Sequence, residues 1–289
     1  MAATTSTRQP LLADTRVDRI VTQTLSHIIL LMFVVVMVFP VLWMVLASLK
    51  TSSDFANNLW GLPSTLTFEN YTTAWERANL GRAFLNSIII AASSVMIVLM
   101  ASTLAGYALA RFRLRYGLVI FVLFVVTMQV PVPIIPMYVM LARLKLTDTY
   151  LGVILPTVAE GLPLSIFIFR AFFRQVPSDL IEAGIVDGCS RWGAFWRIVL
   201  PISGPAIATV AILQFLNAWN SFFLPLIVLR SPEMATIPVS IQAFSYQFGR
   251  VDWQPVFASL SVGSIPMIVL YLTLQRWFIQ GLTAGAIKG

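Results

Sequence analysis

Six apolar runs divide this sequence, and they constrain its fold more than any other feature. A transmembrane helix needs about 20 consecutive apolar residues to cross the roughly 30 Å hydrocarbon core of a bilayer. Of the 289 residues, 58% are hydrophobic and only 11% are charged, whereas a soluble domain carries about 25% charged residues. We therefore expect an all-α integral membrane protein with six transmembrane helices. The runs cover residues 25–49, 83–110, 117–135, 150–173, 201–229 and 255–278.

The distribution of Lys and Arg predicts how the chain is oriented in the membrane. Twelve basic residues lie in or beside the N-terminal segment, the turn 111–115, the segment 174–200 and the C-terminal tail. The loops on the opposite side contain seven. Cytoplasmic loops carry the excess of Lys and Arg. The N-terminal segment 1–24 and the C-terminal tail 280–289 are therefore predicted to be cytoplasmic, and residues 25–279 form one membrane domain.

The stretches between the runs also have distinct characters. Residues 50–82 are polar and rich in Asn, Thr and Trp, which predicts an outside loop with short surface helices. Residues 230–254 form a second outside loop. Residues 137–146 are too few to cross the membrane but apolar enough to lie along its surface.

The residues that most enzymes and metal sites need are nearly absent. The chain has a single cysteine, Cys189, and a single histidine, His27, which exclude an intrachain disulfide and a multi-cysteine metal site. No Gly-x-x-x-x-Gly-Lys-Ser/Thr segment is present, so the chain is not itself an ATPase. We expect a non-catalytic protein that binds no cofactor, and the positive charge reflects membrane topology rather than binding to nucleic acid.

The segment 174–200 is longer than a turn requires and reads as a helix, a turn and a second helix. Ser178 or Asp179 can cap the first helix, and Gly188 supplies the left-handed residue that ends it. The second helix starts at Ser190 and runs to Leu200-Pro201. From the residues alone, this segment either docks against another protein or rests on lipid headgroups.

The same segment resembles the EAA loop of ABC-importer permeases. The order is Glu182-Ala183-Gly184, three residues, Gly188, nine residues and Ile198-x-Leu200-Pro201. Two positions depart from the pattern, since Gly184 replaces its third small residue and Cys189 stands where Ala is common. The chain also resembles the maltose-permease type of sugar importer subunit in Asn86-Ser87, in 149–156 and in its C-terminus. The docking residues that this resemblance implies are Glu182, Ala183, Gly184, Asp187, Gly188, Ile198, Leu200, Pro201, Gly281 and Gly285.

The resemblance implies the type I ABC-importer permease fold, with a coupling helix between the fourth and fifth spans. Its implied partners are membrane lipid, a second similar permease, two ATP-binding subunits that carry ATP and Mg, and an extracytoplasmic substrate-binding protein. The implied site of action is the bacterial cytoplasmic membrane, where such a complex imports a sugar or oligosaccharide. Two alternatives stay open: a permease of this architecture for another solute such as glycerol phosphate, and an ion-coupled secondary transporter.

Polar residues inside three of the runs are candidates for the solute pathway. Glu160 lies near the middle of the fourth run, where an unpaired carboxylate costs a few kcal/mol. It therefore faces a cavity or another subunit, or is protonated, or pairs with an arginine, or lies close to the outer surface. Gln214, Asn217 and Asn220 in the fifth run, together with Gln129, either bind sugar hydroxyls or hold helices together.

Overall fold

The computed structural model describes residues 15–130, 132–246 and 251–286, which are helical with no strand in these ranges. A π-helical turn covers Phe195–Val199 and a 3₁₀ turn covers Pro232–Met234. The α-helices are α1 Thr15–Ser48, α2 Ser52–Asn57, α3 Glu69–Arg77, α4 Leu80–Arg111, α5 Gly117–Thr127, α6 Ile134–Arg143, α7 Tyr150–Gln175, α8 Ser178–Val186, α9 Arg191–Ala194, α10 Leu200–Ile202, α11 Gly204–Asn220, α12 Phe223–Val228, α13 Ile237–Tyr246 and α14 Trp253–Ala286.

Four long helices confirm four of the predicted runs. They are α1, α4, α7 and α14, and each is long and apolar enough to cross a membrane. The helix α7 begins where the predicted run begins, because the Thr149 hydroxyl accepts a hydrogen bond from the Gly152 N–H at 3.2 Å. The short helices α2 and α3 confirm the surface helices predicted within residues 50–82.

The other two predicted runs are broken helices. Residues 117–135 contain α5, whose 11 residues extend about 17 Å, and the chain then turns at Pro133 into α6. Residues 201–229 start in a helix that bends by 73° between Ile202 and Gly204, and α11 ends before α12 begins. The described residues thus contain four spans by length and composition, or five if the bent pair is one span.

The core forms where α4 packs against α7 and α11. Gly106 allows close approach of α4 and α7, since a Cβ at this position would lie 2.7 Å from the Phe169 Cβ. Val98, Phe169 and Val210 are fully buried at this contact. The helix α1 lies at the periphery, and its side chains from 21 to 42 are exposed.

Hydrogen bonds group the connecting segments at two ends of the bundle. At one end, Asp148 accepts hydrogen bonds from the Arg230 and Ser231 N–H groups, both at 2.9 Å. At the other end, the Arg111 guanidinium donates to the Val176 carbonyl. The structure therefore places the link 144–149 beside the start of loop 230–254, and the turn 111–115 beside the segment 174–200, as the predicted topology requires.

Candidate functional site

A cavity of about 1060 Å³ opens between α6, α7, α11 and the link after α5. Apolar side chains of Met, Leu, Val and Pro form most of its wall. Four of the five predicted pathway residues also line it, namely Gln129, Glu160, Gln214 and Asn217. Asn220 is exposed but does not line the cavity.

Glu160 lies on the cavity side of α7, between Pro156 and Pro163, which are both inside this continuous helix. Its side chain is exposed, so water and solutes can reach the carboxylate. Pro163 has no N–H to donate to the carbonyl of Ala159, which also lines the cavity. The wall of α7 thus offers hydrogen-bond acceptors at two successive residues.

Gln214 holds α11 against α7. Its side chain is buried, and Nε2 donates to the Gly161 carbonyl at 3.3 Å and to the Ser165 hydroxyl at 3.2 Å. Gly161 makes room for the amide, since a Cβ there would overlap the Gln214 side chain. Of the two roles predicted for this residue, the contacts favour holding helices together. Asn217, one turn further along α11, is exposed.

The segment 174–200 ends its first helix as predicted. The Gly188 N–H donates to the Ile185 carbonyl at 3.0 Å, and the Cys189 N–H donates to the Gly184 carbonyl at 2.9 Å. This pair of bonds is the Schellman motif, which needs a left-handed residue after the helix. Gly188 has φ +90°, which confirms its predicted role.

The predicted cap at the start of α8 is wrong. Pro177 occupies the N-cap position and no side chain donates or accepts a capping hydrogen bond there. Ser178 is itself the first residue of the helix, and Pro177 before it has φ −58° and ψ 135°. Asp179 lies in the first turn, where its negative charge faces the positive end of the helix dipole.

The second helix starts at the predicted place but is irregular. The Ser190 hydroxyl accepts a hydrogen bond from the Gly193 N–H at 3.0 Å, which caps α9. Pro201 cannot donate an N–H to the carbonyl of Arg197, and the preceding turn widens into the π-helical form. Ile198 from this turn reaches Gly184, where a Cβ would overlap its Cδ1 atom.

The expected docking residues therefore divide into two groups. Gly184 is buried, while Ile198 and Leu200 are half-buried, so these three shape the segment itself. The second group is exposed and consists of Glu182, Ala183, Asp187, Gly188 and Pro201. Three apolar side chains of α8 are exposed beside this group, namely Leu180, Ile185 and Val186, the last of them 86% exposed.

An aromatic cluster that was not predicted from the sequence joins the segment 174–200 to the bundle. Phe195 is fully buried, and its ring centroid lies 4.8 Å from that of Tyr107 on α4 and 6.4 Å from that of Phe173 on α7. The Arg111 guanidinium reinforces this junction through the Val176 carbonyl. Tyr107 and Phe173 lie near the basic ends of two predicted runs, and this placement is the sequence feature that could have indicated the cluster.

The other predicted docking residues lie in the last helix. Gly281 and Gly285 belong to α14, which continues to Ala286 beyond the predicted end of the sixth run. Residues 287–289 of the predicted tail lie outside the described residues, as do residues 1–14 of the predicted N-terminal segment.

The similarity of this chain to known proteins shows its family. Residues 98–284 match the family model described as the inner membrane component of binding-protein-dependent transport systems. The chain belongs to this family. It is 32% identical over 267 residues to the diacetylchitobiose uptake system permease protein NgcG of Streptomyces coelicolor, covering 91% of this chain and 88% of that protein. It is 36% identical over 258 residues to the arabinooligosaccharides transport system permease protein AraQ of Halalkalibacterium halodurans, covering 87% and 91%.

A solved structure shows the same fold. A chain of a bacterial ABC transporter involved in the import of the acidic polysaccharide alginate aligns with a TM-score of 0.79 at 21% identity. The alignment covers 94% of this chain and 100% of that chain. The two chains therefore share one fold over nearly their whole length.

Proposed function

We propose that this permease subunit forms half of the pathway through which an ATP-driven importer moves a sugar or oligosaccharide. The observation that carries this proposal is the cavity in a chain whose relatives are saccharide permeases. Amides and a carboxylate suit sugar hydroxyls, while the apolar wall suits the C–H faces of sugar rings. The described lining residues include no Lys or Arg, which argues against the alternative of glycerol phosphate.

The fold suggests how the subunit fits into a complex. We propose six membrane crossings, four by the long helices and two by the broken segments 117–135 and 201–229. The exposed face of α1 then meets lipid or a second, similar permease. In this proposal both termini and the segment 174–200 lie in the cytoplasm of a bacterial cell, which is supported by the twelve basic residues on that side against seven on the other.

The segment 174–200 is the coupling element in this proposal. It presents the exposed carboxylate of Glu182 and the apolar side chains of α8 to one of two ATPase subunits, which hold ATP and Mg. Phe195 and Arg111 join the segment to α4 and α7, so a displacement of α8 is passed to two long helices as a rigid-body movement. A substrate-binding protein delivers the solute at the opposite end.

Purification and reconstitution test this function. In mild detergent the chain is expected to copurify with an ATPase and a second permease in fixed stoichiometry. Vesicles that contain the complex and a saccharide-loaded binding protein should take up saccharide only with ATP. Uptake by this chain alone without nucleotide would contradict the proposal.

A variant pair tests the coupling role. Glu182→Ala should reduce saccharide uptake per ATP hydrolysed by about tenfold or more, because the exposed carboxylate no longer engages a basic residue of the ATPase. Glu69→Ala removes an exposed carboxylate at the other end of the bundle and should leave this ratio unchanged. Equal ratios for wild type and both variants would argue against docking through Glu182.

A further inference from the structure

The cavity carries one charged side chain among the described residues that line it. That side chain is Glu160, and its exposed carboxylate faces the cavity from α7. The other polar side chains of the described lining belong to Thr127, Gln129, Gln214 and Asn217, which are uncharged. A single negative charge in an otherwise apolar and neutral wall makes the electrostatic potential in this half of the pathway negative.

The next basic residue along α7 does not neutralise this charge. Arg170 lies ten residues further along α7, which is about 15 Å along the helix. Its Nε donates to the Leu109 carbonyl at 3.4 Å, and its guanidinium carbon lies 3.8 Å from the centre of the Phe121 ring. The guanidinium of Arg170 therefore joins α7 to α4 and α5. In the part of the chain that the structure describes, no ion pair involves Glu160.

We propose that Glu160 selects solutes by charge, so that the pathway admits neutral and cationic saccharides, including amino sugars, and disfavours sugar phosphates and uronates. This inference rests on the proposed function, because it assigns the chemical class of solute to the same cavity. Two unit charges about 6 Å apart at an effective dielectric constant of about 20 repel enough to change a local concentration by roughly a hundredfold. Water in the cavity screens part of this effect, which leaves an expected discrimination of about tenfold.

The effect can be measured without knowing the solute. Asn217 is exposed to the cavity on α11, and Asn217→Cys in a Cys189→Ala background puts one thiol there. The complete importer in membrane vesicles is labelled with the cationic MTSET reagent and, separately, with the anionic MTSES reagent. The ratio of the two rates cancels any change in the reactivity of the thiol itself. Thr65→Cys, at an exposed position of the 50–82 loop, supplies the matched control.

With Glu160 present, the cation-to-anion rate ratio at position 217 should exceed the ratio at position 65 by about tenfold. Glu160→Gln should remove this excess, Glu160→Lys should reverse it, and neither change should affect the ratio at position 65. A ratio at position 217 that is insensitive to Glu160→Gln overturns the proposal. So does failure of both reagents to modify Asn217→Cys and Gln129→Cys, because the cavity is then closed to ions. Since no saccharide enters this measurement, it can fail while ATP-driven uptake succeeds, or succeed while uptake fails.

Discussion

Two glycines in the segment 174–200 meet different physical requirements. Gly188 adopts a left-handed backbone, yet a Cβ there would have no heavy atom within 4 Å. Gly184 lies inside α8, where a Cβ would overlap the Ile198 Cδ1 atom. A side chain at Gly188 is therefore unfavourable because of the backbone conformation alone. A side chain at Gly184 is unfavourable because it overlaps a neighbouring side chain.

Substitutions at Gly188 should follow backbone preference rather than size. Gly188→Val forces a β-branched residue into the left-handed region, at a cost of at least about 1–2 kcal/mol. Amide hydrogen exchange in residues 178–190 should then rise roughly five- to thirtyfold. Gly188→Asn should stay near wild type, because Asn tolerates this conformation. Similar exchange rates in the two variants would show that the left-handed residue does not hold α8.

Gly184 and Ile198 should compensate for one another. Gly184→Ala gains about 1 kcal/mol of helix propensity but meets the δ-methyl group of Ile198. Ile198→Val removes that methyl group and by itself costs about 0.5–1.5 kcal/mol. The double variant should be more stable than the sum of the single changes by at least about 0.5 kcal/mol, measured by thermal unfolding of the purified subunit. Additive effects would mean that the two residues do not touch.

At the scale of elements, the contact between α4 and α7 supports both the cavity wall and the segment 174–200. Both helices end at the same end of the bundle, where each receives a hydrogen bond from an arginine of the other. Arg170 of α7 donates to Leu109 of α4, and Arg111 of α4 donates to Val176 after α7. Such donors satisfy carbonyls that the last turn of a helix leaves unpaired.

A large side chain at Gly106 should separate these two helices. Gly106→Leu places atoms where the Phe169 Cβ and the Arg170 backbone nitrogen now lie, and overpacking of this kind costs about 1–3 kcal/mol or more. The melting temperature of the detergent-purified subunit should fall by several degrees. Met100→Leu introduces the same side chain on an exposed face of the same helix and should change it little. A Gly106→Leu variant with wild-type stability would show that the helices are not in close contact.

The sequence predicted the long helices better than the broken ones, for a physical reason. Uninterrupted apolar runs such as 83–110 form one helix because every backbone group must be satisfied within the segment in lipid. The runs 117–135 and 201–229 are also apolar, but Pro133 and a bend near Ser203 interrupt their backbone hydrogen bonding. A helix can be interrupted where neighbouring helices pack against the break. Apolar composition does not show where such packing occurs, so the breaks could not be predicted from it.

At the scale of the whole molecule, the cavity joins residues from distant parts of the chain. Four of the lining residues could be named because polar groups inside apolar runs need a partner or a cavity. Asn220 could not be separated from them by composition, but about 100° per residue turns it about 120° away from Gln214 on α11. Holding helices together was one of the two roles predicted for Gln214, but the sequence did not indicate α7 as its partner, since that contact depends on the room left by Gly161.

Asp148 connects two loops that are about eighty residues apart in the chain, and its effect on stability should depend on pH. The Ser231 hydroxyl and the N–H groups of Ser231 and Arg230 donate to the carboxylate, which lowers the pKa of Asp148 below its ordinary value of 3.8. Because the folded pKa is lower than the unfolded one, the stabilisation is fully present above pH 3.8 and is lost as the pH falls through the folded pKa.

Asp148→Asn should therefore lower the melting temperature of the purified subunit at pH 7, and the difference from wild type should shrink as the pH is lowered below 3.8. Asn accepts the left-handed backbone of this position, φ +57°, so the change tests the charge and not the conformation. Asp252→Asn changes an exposed carboxylate in the loop 230–254. It is the control and should have little effect. A difference at position 148 that stays constant from pH 7 to pH 3 would assign the stabilisation to packing, because only the ionised carboxylate gains from three donors.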